Sequence, residues 1–204
     1  MPSSNVILHS HHVIEQSLFR RNLLLRKLAE HGLLDQDAST NRLYLPVDGE
    51  LADELEISPH RGRTQSSYTK GVNRALDDIV NSPDGPAAMT NDPVALKHIA
   101  AEVRDLQDTL KVGLVNGDLY VTRPDHLTKA QANAHNNKTF SEYEQYRAAH
   151  AEQLTTLRSM SDVESEWFAI TRSWPGDGHD PAAVRQRAND ASWTCRRERR
   201  WRWR

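Results

Sequence analysis

The sequence predicts an α+β fold that is mostly helical, with a short two-stranded element near the start and one β-hairpin in a later helical region. Three observations lead to this fold class. Apolar side chains recur at helical spacing over several long stretches. Two short runs, residues 6–14 and 41–46, combine apolar residues with strand-like boundaries. A hydrophobic content of 37% and a mean hydropathy of −0.73 indicate a modest core and many solvated helix faces.

The first predicted strand carries a pair of histidines, His11 and His12, with His9 just upstream. Neighbouring side chains of a strand point to opposite faces, so the pair can serve one site only where the strand ends or bulges. One neutral imidazole can bind a metal ion while another takes a proton from water near neutral pH. Taken alone, the pair is more typical of an exposed strand end than of a metal site.

Three further elements are predicted before residue 57. Apolar residues at helical spacing predict an amphipathic helix over residues 15–31 that ends at Gly32, where a left-handed backbone favours glycine. Residues 41–46 form the second predicted strand, which a proline ends. A short helix is predicted over residues 50–56.

The next predicted helix is preceded by a loop, residues 59–64, that holds one histidine and two arginines around a glycine. Ser66 or Ser67 is expected to cap this helix. Residues 81–93 contain three prolines and a glycine and are predicted to be a linker. The apolar stripe of the helix consists of Tyr68, Val72, Leu76 and Ile79.

The second half of the chain predicts a helical region with one interruption by strands. Asn116 and Gly117, which lie between two runs with β-branched residues, predict a hairpin over residues 112–121. A long helix is predicted over residues 141–172, with a break near residue 160. The predicted division of the chain is a core over residues 1–80, a linker at 81–93, a helical extension over 94–174, and a short helix with a basic flexible tail over 175–204.

Composition excludes several classes of protein. The single cysteine, Cys195, excludes an intramolecular disulfide and a cysteine-rich zinc site, and it fits a reducing compartment. No signal peptide and no apolar run of membrane-spanning length is visible, so the sequence predicts a cytoplasmic protein without a membrane partner. The net charge of −2 is unlike that of a protein that contacts nucleic acid over a wide basic face. Any contact with nucleic acid is therefore expected to be local.

Several residues of the first 80 form an ordered set. In chain order they are His11 and His12, Asn41 with Leu45 and Pro46, the run from His60 to Arg63, and Tyr68 with Val72. The set resembles the AHH-type nucleases of the HNH/ENDO VII superfamily, also called ββα-metal endonucleases, which often occur as bacterial toxin or effector modules. The resemblance covers about residues 5–80 and implies a ββα-metal-like core.

The resemblance implies a role for each matching polar residue. His11 and His60 would bind a divalent metal ion, and His12 would be the general base. Asn41 would be a catalytic residue that braces the hairpin or orients the base. This chemistry suits phosphodiester hydrolysis, because a divalent ion relieves charge as a Lewis acid and an imidazole activates water. Further residues implied are Arg61 and Arg63 as binders of nucleic-acid phosphates, and Tyr68 and Thr64 as supporting residues.

Two positions depart from the family pattern. Many members carry a second histidine four residues after the one at position 60, where this chain has Thr64. A hydroxyl is a weak ligand, so Mg²⁺ or Mn²⁺ is favoured over Zn²⁺ or Ni²⁺ as the cofactor. Ser10 stands where the alanine that names the family is usual, and this change is expected to be harmless.

The predicted function is a metal-dependent endonuclease that acts on nucleic acid, with DNA favoured over RNA, as an antibacterial toxin or effector. The resemblance further implies a cognate immunity protein, a secretion adaptor, and export by type VI or similar secretion into a target cell. Two alternatives stay open at this point. One is a catalytically impaired HNH-fold module that binds nucleic acid or a protein partner, and the other is an all-helical adaptor with incidental histidines.

Overall fold

Two short strands near the start of the chain pair antiparallel and carry the histidine pair. They are β1, Leu8–His12, and β2, Arg42–Pro46, which form a two-stranded sheet. The computed structural model describes residues 8–169, and helices make up most of the rest of that range. The predicted α+β class is confirmed, and the sheet contradicts the all-helical alternative.

Ten α-helices connect and surround these strands within the described residues. None of these helices is both long enough and apolar enough to span a bilayer. In chain order they are α1 (Gln16–Arg21), α2 (Leu23–Glu30), α3 (Gly49–Glu54), α4 (Ser66–Val80), α5 (Gly85–Met89), α6 (Pro93–Val115), α7 (Lys129–Ser141), α8 (Tyr143–Ala149), α9 (Ala151–Ser159) and α10 (Asp162–Glu166).

The register of the sheet decides which side chains share a face. His11 lies opposite Leu43, and His12 lies opposite Arg42. Side chains directly opposite each other in an antiparallel pair point to the same face. His11 therefore faces the buried side with Leu43, while His12 and Arg42 share the other side.

The helix predicted over residues 15–31 is two helices, because helical structure is interrupted at Asn22. The backbone of Asn22 is extended, with φ −79° and ψ 125°, and the Asn22 side chain accepts a hydrogen bond from the backbone N–H of Leu25. Asn22 thus caps α2, and competition of a short polar side chain with helical hydrogen bonding explains the break. The predicted end at Gly32 is confirmed, since that residue has a φ of +68°.

The helix α4 presents the predicted apolar stripe to the core, where Tyr68, Val72 and Leu76 are fully buried. The predicted serine cap is wrong. Gln65 is the N-cap residue and its side chain makes no capping hydrogen bond. Ser67 lies inside the helix, where its hydroxyl accepts a hydrogen bond from the buried Asn136.

The hairpin predicted over residues 112–121 is wrong, because α6 continues to Val115. Its last turns are buried all round, so their apolar side chains suit a core helix as well as a strand. Asn116 caps the helix and Gly117 follows with a φ of +69°, so the Asn-Gly pair ends a helix instead of turning a hairpin. Short apolar runs do not distinguish these two structures by sequence alone.

The predicted linker, residues 81–93, contains α5, which packs against α6 and α4. The helix predicted over residues 141–172 is broken near residue 160 as expected, and also at Glu142 and His150. The predicted domain boundaries remain predictions. The short helix and basic tail predicted over residues 175–204 lie outside the described residues.

A continuous hydrophobic core runs from Val13 to Ala169 and is organised around α6. This helix packs against α4, α5 and α9. It also carries two fully buried polar side chains, Gln107 and Lys111, towards the segment before β2. The Lys111 ammonium group donates hydrogen bonds to the carbonyl of Ser39 at 3.0 Å and to the hydroxyl of Ser165 at 2.8 Å. The core helix therefore holds the segment that precedes Asn41.

Candidate active site

Two of the predicted metal ligands, His11 and His60, lie in direct contact. The buried face of β1 carries His11, which is only 4% exposed. The loop before α4 carries His60, whose backbone N–H donates to the carbonyl of Pro46 at 2.8 Å and so ties the loop to the end of β2. The ring centroids are 4.8 Å apart. Residues separated by almost fifty positions in the chain thus form one imidazole pair.

Two further side chains flank this pair. The ring of His9 lies 5.9 Å from that of His60, edge to face. The ring of Tyr68 lies 6.1 Å from that of His11, and its hydroxyl donates to the carbonyl of Val13 at 2.8 Å. Tyr68 is fully buried, so it supports the wall behind His11. His9 has no predicted role, although its two-residue spacing from His11 places both side chains on one face of a strand.

Burial keeps both imidazoles of the pair neutral. It lowers the pKa of His11 well below the ordinary histidine value, and the nearby His60 and His12 lower it further. Burial also lowers the pKa of His60 to about 4, with smaller contributions from His9 and His12. Neutral imidazole is the form that binds metal ions. Both rings are therefore in the ligand state at neutral pH.

The pair has unfilled hydrogen-bonding capacity that suits a cation. His11 Nε2 and His60 Nδ1 are buried and have no hydrogen-bond partner. A buried unpartnered nitrogen costs about 1–3 kcal/mol, which a bound ion would offset. Within residues 8–169, no three histidine, cysteine, aspartate or glutamate side chains form a ready-made metal cluster. The protein would thus supply two imidazole ligands and leave the other positions to water and phosphate oxygens.

The predicted base, His12, makes its contacts on the other side of the strand. Its Nε2 lies 2.9 Å from Asp37 Oδ1, and the Gln16 side chain donates to the same oxygen at 3.1 Å. A carboxylate only accepts hydrogen bonds, so the neutral His12 ring carries its hydrogen on Nε2 and its lone pair on Nδ1. The hydrogen bond from His12 lowers the pKa of Asp37. A carboxylate thus holds the ring, and His12 could take up a proton at Nδ1 as the predicted general base.

Asn41 braces the segment between the two strands. Its side-chain oxygen accepts hydrogen bonds from the backbone N–H of Ile14 at 2.9 Å and from the Gln107 amide at 3.2 Å. Its amide nitrogen donates to the carbonyls of Ile14 at 3.0 Å and Gln36 at 2.8 Å. The residue is fully buried. These bonds fix the backbone next to His12 and Asp37 and do not reach the imidazole itself.

The remaining predicted residues lie at the edge of the site. The guanidinium of Arg61 forms a 2.8 Å ion pair with Asp125, while Arg63 is exposed. Thr64 lies before α4 in a non-helical segment that includes Gly62, whose φ is +114°. Position 64 therefore does not lie one helical turn after His60.

We expect the free energy of unfolding to fall as the pH is lowered from about 6.5 to about 4. In this window the unfolded chain protonates His11 and His60 while the folded chain does not, so the unfolded state binds more protons. The stabilisation is fully present above the unfolded pKa and is lost as the pH falls to the folded one. His60 alone would account for up to about 3 kcal/mol.

Urea unfolding in EDTA at several pH values measures this dependence. The variant His60→Gln should flatten the profile, because it removes one depressed titration. The variant His31→Gln, which changes an exposed histidine, should leave the profile as in the wild type. An unchanged profile in His60→Gln would contradict the assigned cause.

A comparison with protein families finds a match over the first part of the chain. The family model AHH, described as a nuclease family of the HNH/ENDO VII superfamily with conserved AHH, matches residues 3–103. No curated protein and no solved structure matches the chain. The match contains β1, β2, the His11–His60 pair, His12 and Asp37. Residues 3–103 of this chain therefore belong to the AHH nuclease family of the HNH/ENDO VII superfamily.

Proposed function

We propose that the protein is a metal-dependent endonuclease that hydrolyses phosphodiester bonds of nucleic acid, with DNA favoured as substrate. One observation carries the proposal. Two buried neutral imidazoles, His11 and His60, have unpartnered nitrogens, and the residue next to His11 in the strand is a histidine held by a carboxylate. Ligand and base functions are thus separated by a single strand position.

His12 is the last residue of β1, so the strand ends where His12 and the His11–His60 pair could act on one phosphate. His11 and His60 would hold a divalent ion, which supplies Lewis-acid relief of phosphate charge. His12 Nδ1 takes a proton from the attacking water as the new phosphorus–oxygen bond forms and the bond to the leaving oxygen breaks. The leaving oxygen takes up a proton from solvent. Asp37 holds the ring and stabilises the imidazolium that results.

The biological setting is proposed from the family resemblance alone. We propose that the chain acts as an antibacterial toxin, is restrained in the cytoplasm of the producing cell by an immunity protein, and reaches a target cell with the help of a secretion adaptor, for example in type VI secretion. The helices α7 to α10 lie outside the matched region, and we propose that they contact these partners.

We expect purified protein to nick supercoiled plasmid DNA in Mg²⁺ or Mn²⁺ and to be inactive in EDTA. Parallel incubations with RNA, and with Zn²⁺ or Ni²⁺, identify the substrate and the metal, and agarose gels measure the products. Cleavage that persists in EDTA would contradict metal dependence.

The alternative function is a catalytically impaired module that binds nucleic acid without cleaving it. The two imidazoles that the described residues bring together would bind a metal ion less tightly than three imidazoles. Binding of nucleic acid without cleavage in any of the metals would support this alternative over the endonuclease.

A further inference from the structure

Arg42 lies beside the general base on the same face of the sheet. It is the first residue of β2 and pairs with His12 in the antiparallel register. Side chains in such directly opposed positions are close neighbours, with Cβ atoms about 5 Å apart. A permanent positive charge therefore lies next to the group that activates water.

The guanidinium of Arg42 has donors that its surroundings leave unfilled. Its Nε is buried and has no hydrogen-bond partner. One terminal nitrogen forms an ion pair with Asp37 Oδ1 at 3.7 Å, which is too long for a hydrogen bond. The Arg42 side chain is 34% exposed. That oxygen already accepts hydrogen bonds from His12 and Gln16. Asp37 consequently leaves much of the capacity of Arg42 free for a ligand.

Of the two arginines predicted from the family pattern, Arg61 is less available than Arg42. Arg61 donates to Asp125 at 2.8 Å, so a phosphate would have to displace that carboxylate. Arg42 has no such close competitor among the residues described. A planar guanidinium with free donors matches the geometry of phosphate oxygens.

We propose that Arg42 binds a non-bridging oxygen of the phosphate that His12-activated water attacks. The proposal rests on the proposed nuclease function and adds a substrate contact to it. On binding, Arg42 turns its free donors to the phosphate, while Asp37 keeps its hydrogen bonds to His12 and Gln16. Negative charge that grows on the phosphate in the transition state meets a fixed cation at the site of attack.

Steady-state cleavage by Arg42→Ala, Arg42→Lys and Arg74→Ala tests the contact. Arg74 is an exposed arginine of α4, so its variant makes the same change of net charge elsewhere. We expect Arg42→Ala to lower kcat/KM by about 10²–10³-fold, as for loss of one charge-stabilising donor. Arg42→Lys should recover part of the loss, and Arg74→Ala should behave like the wild type. Equal activity of Arg42→Ala and Arg74→Ala would overturn the proposal.

Binding separates this proposal from the proposed function. Fluorescence anisotropy with a short DNA duplex in EDTA, at several salt concentrations, gives affinity without cleavage. We expect Arg42→Ala to reduce the slope of log affinity against log salt by about one, and Arg74→Ala to leave it unchanged. If no metal supports cleavage but this slope change occurs, hydrolysis fails and the phosphate contact stands. If the slope is unchanged while the wild type cleaves, the contact is wrong and the nuclease function stands.

Thermal unfolding of each variant shows whether the fold is kept. Arg42→Lys retains the charge and most of the aliphatic stem, so it still tests the phosphate contact if Arg42→Ala is unfolded. A folded Arg42→Lys variant with wild-type kcat/KM and wild-type salt slope would show that only charge is needed there, and the specific guanidinium contact would be overturned.

Discussion

His12→Ala is expected to lower kcat by about 10²–10⁴-fold, the usual contribution of a general base. The substitution removes the acceptor that takes the proton from water. It leaves His11 and His60 in contact on the other face of β1, so metal affinity should stay close to that of the wild type. Plasmid nicking and calorimetric titration with Mn²⁺ measure the two quantities separately.

The matched control is His11→Ala, which should weaken Mn²⁺ binding by at least about tenfold and lose activity with it. Asp37→Asn gives a third comparison, because it removes the carboxylate that holds the hydrogen on His12 Nε2. Its activity should lie between those of the wild type and His12→Ala. Loss of the metal in His12→Ala, with retention in His11→Ala, would show that the two roles are exchanged.

Local sequence patterns predict the strands and the buried face of the site. The apolar runs around His11 and the proline that ends β2 are visible within a few residues of sequence. Strand alternation then requires His11 and His12 to face opposite sides, and the structure places their contacts on opposite sides. The contact between His11 and His60 is long-range. It was expected from the family resemblance, which makes both residues ligands of one metal ion, and hydrophobic periodicity alone does not predict it.

The carboxylate that holds His12 has no local signature. Asp37 lies 25 residues after His12 in a polar turn, where an aspartate is ordinary. Its position depends on α1 and α2 returning the chain to the sheet, and on the break between these helices at Asn22. The position of Arg42 beside His12 likewise could not be predicted without the register of the sheet, because a one-residue shift would move Arg42 to the other face.

Asn41→Ala is expected to destabilise the fold by about 3–5 kcal/mol, the largest stability change we expect in the site. The side chain satisfies the N–H and the carbonyl of the fully buried Ile14, and it also donates to the carbonyl of the partly buried Gln36. Alanine leaves these groups without partners, at a cost of about 1–3 kcal/mol for each one that water cannot reach. Equilibrium urea unfolding at pH 7.5, above the ordinary histidine pKa of about 6.5, measures the change without the histidine titrations.

Gln107→Met is the matched control for this network. Gln107 donates to the same Asn41 oxygen at 3.2 Å, but its own carbonyl oxygen is already buried without a partner. Methionine keeps the volume and removes that unsatisfied atom, so we expect a change below about 1 kcal/mol. A cost for Asn41→Ala no larger than that of Gln107→Met would contradict the bracing role. In that case Asn41 would act in catalysis at His12, and Asn41→Ala should lower kcat instead of the free energy of unfolding.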